Sequence, residues 1–427
     1  MPTLFPTRGF RRTRERSSGL LFAFGVDDLS SSVATGQSLS LTRTTGRTVI
    51  DSTGRVGTIV HSQYPWSSVY NSTDAVWEPV LDVQPATTNL CLQSEDFSAW
   101  TSIGTPTRTA AARRIGDVVL DLIGDDTAAT LEGYSRTVTF TGSAVKAVSV
   151  YMAAGTSTSV VVRLRDTTGA ANRLLATITW SSGVPTVTMT TGTNIGTISM
   201  AGGAYRFQFQ STSVTAANTN QIEIYPATTS ALSIANTGTV YAGGVQCENA
   251  VTPGPYNKTA GSTVTSNRDL ITASVTLPLS DFTVYVRLAR PAWAGLTTGW
   301  PGDQWLIGPA YATTYGSWAL YFDPIGQNMR STIVQAGAGV VASQSIPVAP
   351  FMDLCAQFTS ITTGPKTRLD VGSGFGSYSS AASAIAQWES TTTYLGGDAT
   401  TAPGAQIRKA IIAPGLRTLS EMKGLSV

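Results

Sequence analysis

His61 is the sole histidine in 427 residues, and it stands far from any nucleophile motif. A serine–histidine–aspartate relay elsewhere in the chain therefore has no base, and the setting of His61 implies a structural or surface residue. The three cysteines, Cys91, Cys247 and Cys355, each sit in an apolar strand context. Together with one histidine they supply neither a zinc ligand cluster nor a disulfide framework, so they read as small buried hydrophobes. A Cys91–Cys247 bridge requires the first and last strands of the middle of the chain to pair, which spacing alone does not decide. Glycoside hydrolysis needs two carboxylates facing each other across a cleft. The C-terminal 157 residues (271–427) hold only Glu389 and Glu421 as glutamates, and Asp303, Asp323, Asp353 and Asp370 are scattered at turns or strand ends. No catalytic set is assigned, no metal and no cofactor, and the chain is read as a non-enzyme.

Saccharide binding is the better-supported chemistry. Sugars stack their C–H faces on aromatic rings while polar side chains fix the hydroxyls. Trp293, Trp300, Tyr311 and Tyr315 lie in Gly/Thr-rich, loop-like sequence with Asp303 among them, and these five are the candidate glycan-binding residues. Trp305, Trp318 and Phe322 fall on strand patterns and read as core. Burial of the loop aromatics in a subunit interface fits the same pattern, because aromatics anchor interfaces.

Charge points to a second kind of contact. The net charge is +2, but residues 1–16 carry five arginines against one glutamate, net +4, which leaves −2 for the rest. A body so close to neutral argues against nucleic acid as the main partner. Arg8, Phe10, Arg11, Arg12, Arg14 and Arg16 form a basic arm that suits docking on an acidic protein surface, or a solvated tail. The apolar run Leu20–Phe24 is too short to span a membrane or to serve as an ordinary signal-peptide core, so assembly in a cytoplasm is expected.

The elements that carry these residues are strands. Thr, Ser, Val, Ala and Gly dominate, long helix-forming windows are missing, and glycines and prolines punctuate short alternating runs. The expected fold is all-β: an N-terminal docking arm (1–35), a β-hairpin and connecting segment (36–93), a first antiparallel sandwich (94–256), a connector (257–270) and a second sandwich (271–427). In the first sandwich, eight runs fit strands: 134–140, 145–151, 159–165, 173–180, 186–190, 204–210, 221–225 and 239–246. In the last of them Val240, Ala242 and Gly244 are expected on one side, with Tyr241, Gly243 and Val245 on the other. Leu90–Leu92 and Val245–Cys247 are expected to pair as terminal strands. A short C-terminal helix with Thr418 as cap and Glu421 three residues on completes the chain.

One ordered set of motifs carries a resemblance. Thr48-Val49-Ile50-Asp51, Gly54-Arg55-Val56, Thr88-Asn89-Leu90-x-Leu92-x-Ser94-Glu95-Asp96-Phe97-Ser98-x-Trp100, Gly244-x-Gln246-x-Glu248, Pro255-Tyr256 and Asn267-Arg268-Asp269 follow in that order. The chain resembles, over about residues 40–270, a class of tailed-bacteriophage and prophage structural proteins. The resemblance implies a carbohydrate-binding-module-like jelly roll at 94–256, and the strands and terminal helix after it resemble a concanavalin-A/laminin-G-like sandwich. It implies a virion fibre, spike or head- or tail-decoration appendage, a homotrimer docked on other virion proteins through its arm, with host surface glycan as a further partner. Alternatives are a dedicated receptor-binding protein for a host polysaccharide and a polysaccharide depolymerase. Concanavalin-like glucanases set their acids as Glu-x-Asp-x-x-Glu, a pattern this sequence lacks. Asp125-Asp126 could hold calcium, as jelly rolls sometimes do, or form a solvated turn.

Overall fold

The structure, a computed structural model, describes residues 20, 22–25, 39–60, 63, 65–71, 73–232, 236–289, 304–309, 317–323, 328–335, 338–345, 351–359, 361–363, 365–372, 374–379, 385, 388, 392–395 and 405–425. Every pairing of strands among them is antiparallel. The fold is all-β, with two sandwiches.

The middle sandwich has one sheet ordered Thr193–Met200, Ala204–Gln210, Ala147–Ala154, Gly238–Glu248, Val118–Asp125, Thr107–Ile115. The facing sheet is ordered Val184–Thr191, Ala171–Ser181, Ser159–Asp166, Asn220–Tyr225, Gly133–Val138, Thr101–Ile103. The four central strands of each sheet follow the winding of a jelly roll. Alternation fills the space between them: Val148, Val150, Met152, Phe207 and Phe209 from one sheet meet Val160, Val162, Leu164, Leu174 and Ile178 from the other. All eight strands legible in the sequence are present. Thr101–Ile103, Thr107–Ile115, Val118–Asp125 and Thr193–Met200 are additional. Thr107–Ile115 contains Ala110-Ala111-Ala112-Arg113-Arg114, a helix-favouring composition that hides an edge strand. It bulges at Ala111, whose N–H turns away from the ladder to Asp121 Oδ1 at 2.8 Å.

The expected alternation of Val240–Val245 fails halfway. Ser149 pairs with Gln246, but Tyr151 pairs with Gly243, so an extra residue is inserted. Gly244 takes that position at φ +56°, where a Cβ would come within 2.7 Å of the Tyr151 ring. The bulge returns Val245 and Cys247 to the side of Val240 and Ala242, and all four are buried in one core.

The outer sandwich is built from both ends of the chain. One sheet runs Lys366–Asp370, Phe351–Thr359, Phe282–Ala289, Ala405–Pro414, Val76–Val83, Trp66–Asn71, with Phe22–Gly25 also paired to Ala405–Pro414. The other runs Leu39–Thr42, Leu270–Ser274, Thr392–Leu395, Gln304–Gly308, Ser317–Asp323, Asn328–Gln335, Ala338–Ser345. Its core gathers Leu81 and Val83 with Phe282, Val284, Trp318, Phe322, Phe358 and Ile412. Residues 36–93, expected as a hairpin and connector, therefore supply strands to the sandwich expected at 271–427. Phe22–Gly25, inside the expected arm, does the same. Sequence pattern marks strands but not their distant partners, so it does not reveal that the middle sandwich is an insertion in the outer one.

The hairpin itself is present, Arg47–Ile50 pairing with Val56–Ile59. Its turn is set by Asp51, whose Oδ1 accepts the N–H groups of Thr53 at 2.8 Å and Arg55 at 3.0 Å. The hairpin lies over the outer face of the jelly roll: Val56 and Ile50 pack with Val118, Leu120, Tyr151 and Met200. The C-terminal helix, Leu419–Gly424, carries the expected capping box: Thr418 Oγ1 accepts the Glu421 N–H at 3.3 Å and Glu421 Oε2 accepts the Thr418 N–H at 2.7 Å.

Candidate functional site at the neck

Two chain segments, 84–96 and 245–269, cross between the sandwiches, and the short motifs of the sequence converge on them. Asn89 is fully buried. Its Nδ2 donates to the carbonyl oxygens of Asn257 at 2.8 Å and Val245 at 3.1 Å, while its Oδ1 accepts the N–H groups of Cys91 and Cys247 at 3.0 and 3.2 Å. One amide thus satisfies four backbone groups that no ladder reaches. Gln246 repeats the device: Oε1 accepts the Asn257 N–H at 2.7 Å and Nε2 donates to Pro255 O at 3.0 Å and to Glu248. Glu248 accepts the Gly254 N–H at 2.9 Å. Gly254 has no room for a side chain, since a Cβ would lie 2.1 Å from Thr87 Cγ2.

The ends of the jelly roll meet here. Ser94 Oγ and Tyr256 Oη are 2.7 Å apart, and Tyr256 donates onward to Glu95 at 2.9 Å. The expected pairing of the two terminal segments is present, with Leu90 N–H donating to Cys247 O at 2.8 Å and Val245 N–H to Ser94 O at 2.9 Å. Asp96 caps the 3-10 turn Phe97–Ala99, and Phe97 and Trp100 enter the core.

A buried charge cluster closes the outer side. Asp269 receives Arg43 at 2.7 Å and Arg47, and Arg47 also donates to Asp82 at 2.5 Å. Gln84 bonds both carboxylates, through its N–H to Asp269 at 3.1 Å and its Nε2 to Asp82 at 2.6 Å. Burial pulls the Arg43 guanidinium below its ordinary value, opposed by Asp269. Of this cluster only Asp269 stood out in the sequence. Arg43, Arg47 and Asp82 were hidden in strand patterns, although a charge amid buried-face residues is the signal that marks such a partner set.

Burial shapes the neck's titration. It pushes the Glu248 carboxyl up to about 7, against the hydrogen bonds from Gln246 and Gly254 and the nearby Arg206. It raises the Tyr256 hydroxyl as well, with Glu95 adding to the effect. Between the hairpin, the jelly roll and the outer sandwich lies a cavity of about 430 Å³, lined by Tyr151, Ile195, Arg206, Gln208, Gln84 and Gln406 among others. Asp82 is its one carboxylate among the described residues, and it is already engaged by Arg47 and Gln84. This arrangement suits holding two bodies in register; a pair of acids facing across it is not formed.

Trp293, Trp300, Asp303, Tyr311 and Tyr315 lie outside the described residues, as do Arg8, Phe10, Arg11, Arg12, Arg14, Arg16 and His61. Trp318 and Phe322 are fully buried core, and the side chain of Trp305 lies outside the described residues. Asp126 is exposed, whereas Asp125 is buried against Glu132. Burial first, and then Glu132, raise the Asp125 carboxyl; hydrogen bonds from Thr105, Asp126 and Asp125 outweigh burial and lower Glu132. No group of three or more His, Cys, Asp or Glu among the described residues is placed to hold a metal ion.

No protein-family model matches the chain, and no curated protein matches it. Among solved structures it is similar to domains LG4-5 of the mouse laminin alpha1 chain, at 9% identity over 79% of this chain and 92% of that one, with a TM-score of 0.23. The β-sandwich architecture rests on the hydrogen-bonded sheets themselves.

Proposed function

We propose that this chain is a structural protein of a tailed-phage particle, a fibre, spike or decoration appendage held to other virion proteins by its basic N-terminal arm. The neck is the observation that supports it. The motifs that resemble the phage class are spent on joining two sandwiches: Asn89, Gln246 and Glu248 bond backbone or one another, Tyr256 bonds Ser94 and Glu95, and Asp269 pairs with two arginines. Side chains used this way fix the angle between two bodies, which is what a projecting strut requires. Homotrimeric assembly belongs to the same proposal.

Antibody labelling of virions in electron micrographs tests it. Label on the particle, lost when residues 1–19 are deleted, is the expected result. A deletion that still incorporates places the anchor elsewhere, and unlabelled particles sink the structural reading. Residues 22–25 must be kept, because they pair with Lys409–Ile412.

A second reading, adhesion to a host surface polysaccharide, is favoured by the aromatic run Trp293, Trp300, Tyr311, Tyr315. The full chain on a glycan array, against its Trp300→Ala variant, decides it: saccharide-specific binding lost in the variant supports adhesion, and no binding at millimolar sugar refutes it.

A further inference from the structure

Cys91 and Cys247 come to the neck from opposite ends of the inserted sandwich. Both are fully buried, both belong to the same core, and both are free thiols. Three hydrogen bonds hold their backbones together. Asn89 Oδ1 accepts both of their N–H groups, and Leu90 N–H, one residue from Cys91, donates to Cys247 O at 2.8 Å. Two amides aimed at a single oxygen at 3.0 and 3.2 Å bring the chain segments within the separation that a disulfide spans. The Cys247 thiol is raised well above its ordinary value, first by a hydrogen bond with the Cys91 thiol and then by burial. Cys355 lies in the other sandwich, its thiol turned to Arg417 O at 3.8 Å.

We infer that Cys91 and Cys247 form a crosslinking site, a thiol pair that closes into a disulfide across the neck when a disulfide oxidant is supplied. The chemistry balances with oxidised glutathione. One cysteine, as thiolate, attacks a glutathione sulfur and releases one reduced glutathione. The second cysteine, losing its proton, attacks the resulting mixed disulfide and releases the other. Two electrons pass to the reagent, and two reduced glutathiones leave. A thiolate is the attacking species and both sulfurs are shut off from solvent, so the pair reacts slowly and stays open in a reducing environment. Once formed, the bond ties the ingoing and outgoing strands of the jelly roll and closes almost the whole insertion into a loop. The inference stands whether or not the chain belongs to a virion.

The test uses the full chain incubated with oxidised glutathione, alkylated in denaturant, digested without reductant and mapped by mass spectrometry. The expected product is a peptide pair linking Cys91 to Cys247, two hydrogens lighter than the sum. The thermal midpoint should rise by about 4 °C and return with reductant. Cys355→Ser should keep both effects and Cys91→Ser should lose both. Alkylation of Cys91 and Cys247 at every oxidant concentration, linkage through Cys355 instead, or a linked peptide without a reversible midpoint shift overturns the proposal.

Discussion

The carboxylate of Asp269 accepts a 2.7 Å hydrogen bond from the guanidinium of Arg43, 226 residues earlier in the chain. Both side chains are buried, and the same carboxylate neutralises Arg47. Removing it leaves Arg47 with Asp82 and leaves Arg43 with only the carbonyl oxygens of Val60 and Gln63. Asp269→Ala should cost about 3–5 kcal/mol in the first unfolding transition, because an uncompensated buried charge is the expensive product of breaking such a pair. Urea titration reads the loss; a cost below about 1 kcal/mol would mean that water already solvates the cluster.

Glu248 gives the fold a pH dependence of definite sign. In the unfolded chain its carboxyl ionises near its ordinary value of 4.5, and in the folded chain at about 7. Between those values the folded state keeps a proton that the unfolded state has released. Stability from this group is therefore complete below pH 4.5, falls as pH rises to about 7, and is flat above. The fall is on the order of 3 kcal/mol. Glu248→Gln should flatten that slope, as chemical denaturation at a series of pH values would report.

Contact between hairpin and jelly roll depends on Gly116. It sits at φ +65°, and a Cβ there would lie 2.0 Å from Val56 O. Gly116→Ala should undock the hairpin and raise tryptic cleavage at Arg55 by about tenfold or more, since cleavage follows the opened population. Gly261→Ala, with open space around it, should leave the rate unchanged. Equal cleavage in both variants would show that the hairpin is held by other contacts.

The insertion predicts which fragments fold. Residues 88–262 contain the whole jelly roll with most of each crossing and should give a cooperative thermal transition on their own. Residues 271–427 lack Leu39–Thr42, Trp66–Asn71 and Val76–Val83 and should not. Circular dichroism melts of the two fragments check this; a cooperative 271–427 would refute the shared sheet.

Much of the architecture is legible in the sequence. Phe282–Ala289, Ser317–Asp323 and Ala204–Gln210 alternate clearly, and Thr418 with Glu421 announces a helix start. What escaped was non-local. Leu39–Thr42 looks like part of the hairpin that follows it, yet it pairs with Leu270–Ser274, because hydrogen-bond partners leave no trace in a strand's own period. The neck was half legible. Gly244, Gln246 and Asp269 stood out as motif residues, but the bulge at Gly244 and the arginines that face Asp269 depend on the three-dimensional path.

The split outer sandwich has a consequence for biosynthesis. Val76–Val83 pairs with residues 405–407, and Leu39–Thr42 with residues 270–273. At about 5–20 residues per second, a ribosome takes roughly 16–64 s to travel between the first two of these partners. During that interval the jelly roll is synthesised complete and can fold, while the hairpin of Trp66–Asn71 and Val76–Val83 made before it lacks its partner on the open edge. A nascent chain of this design stays exposed to aggregation until residues 405–407 have emerged.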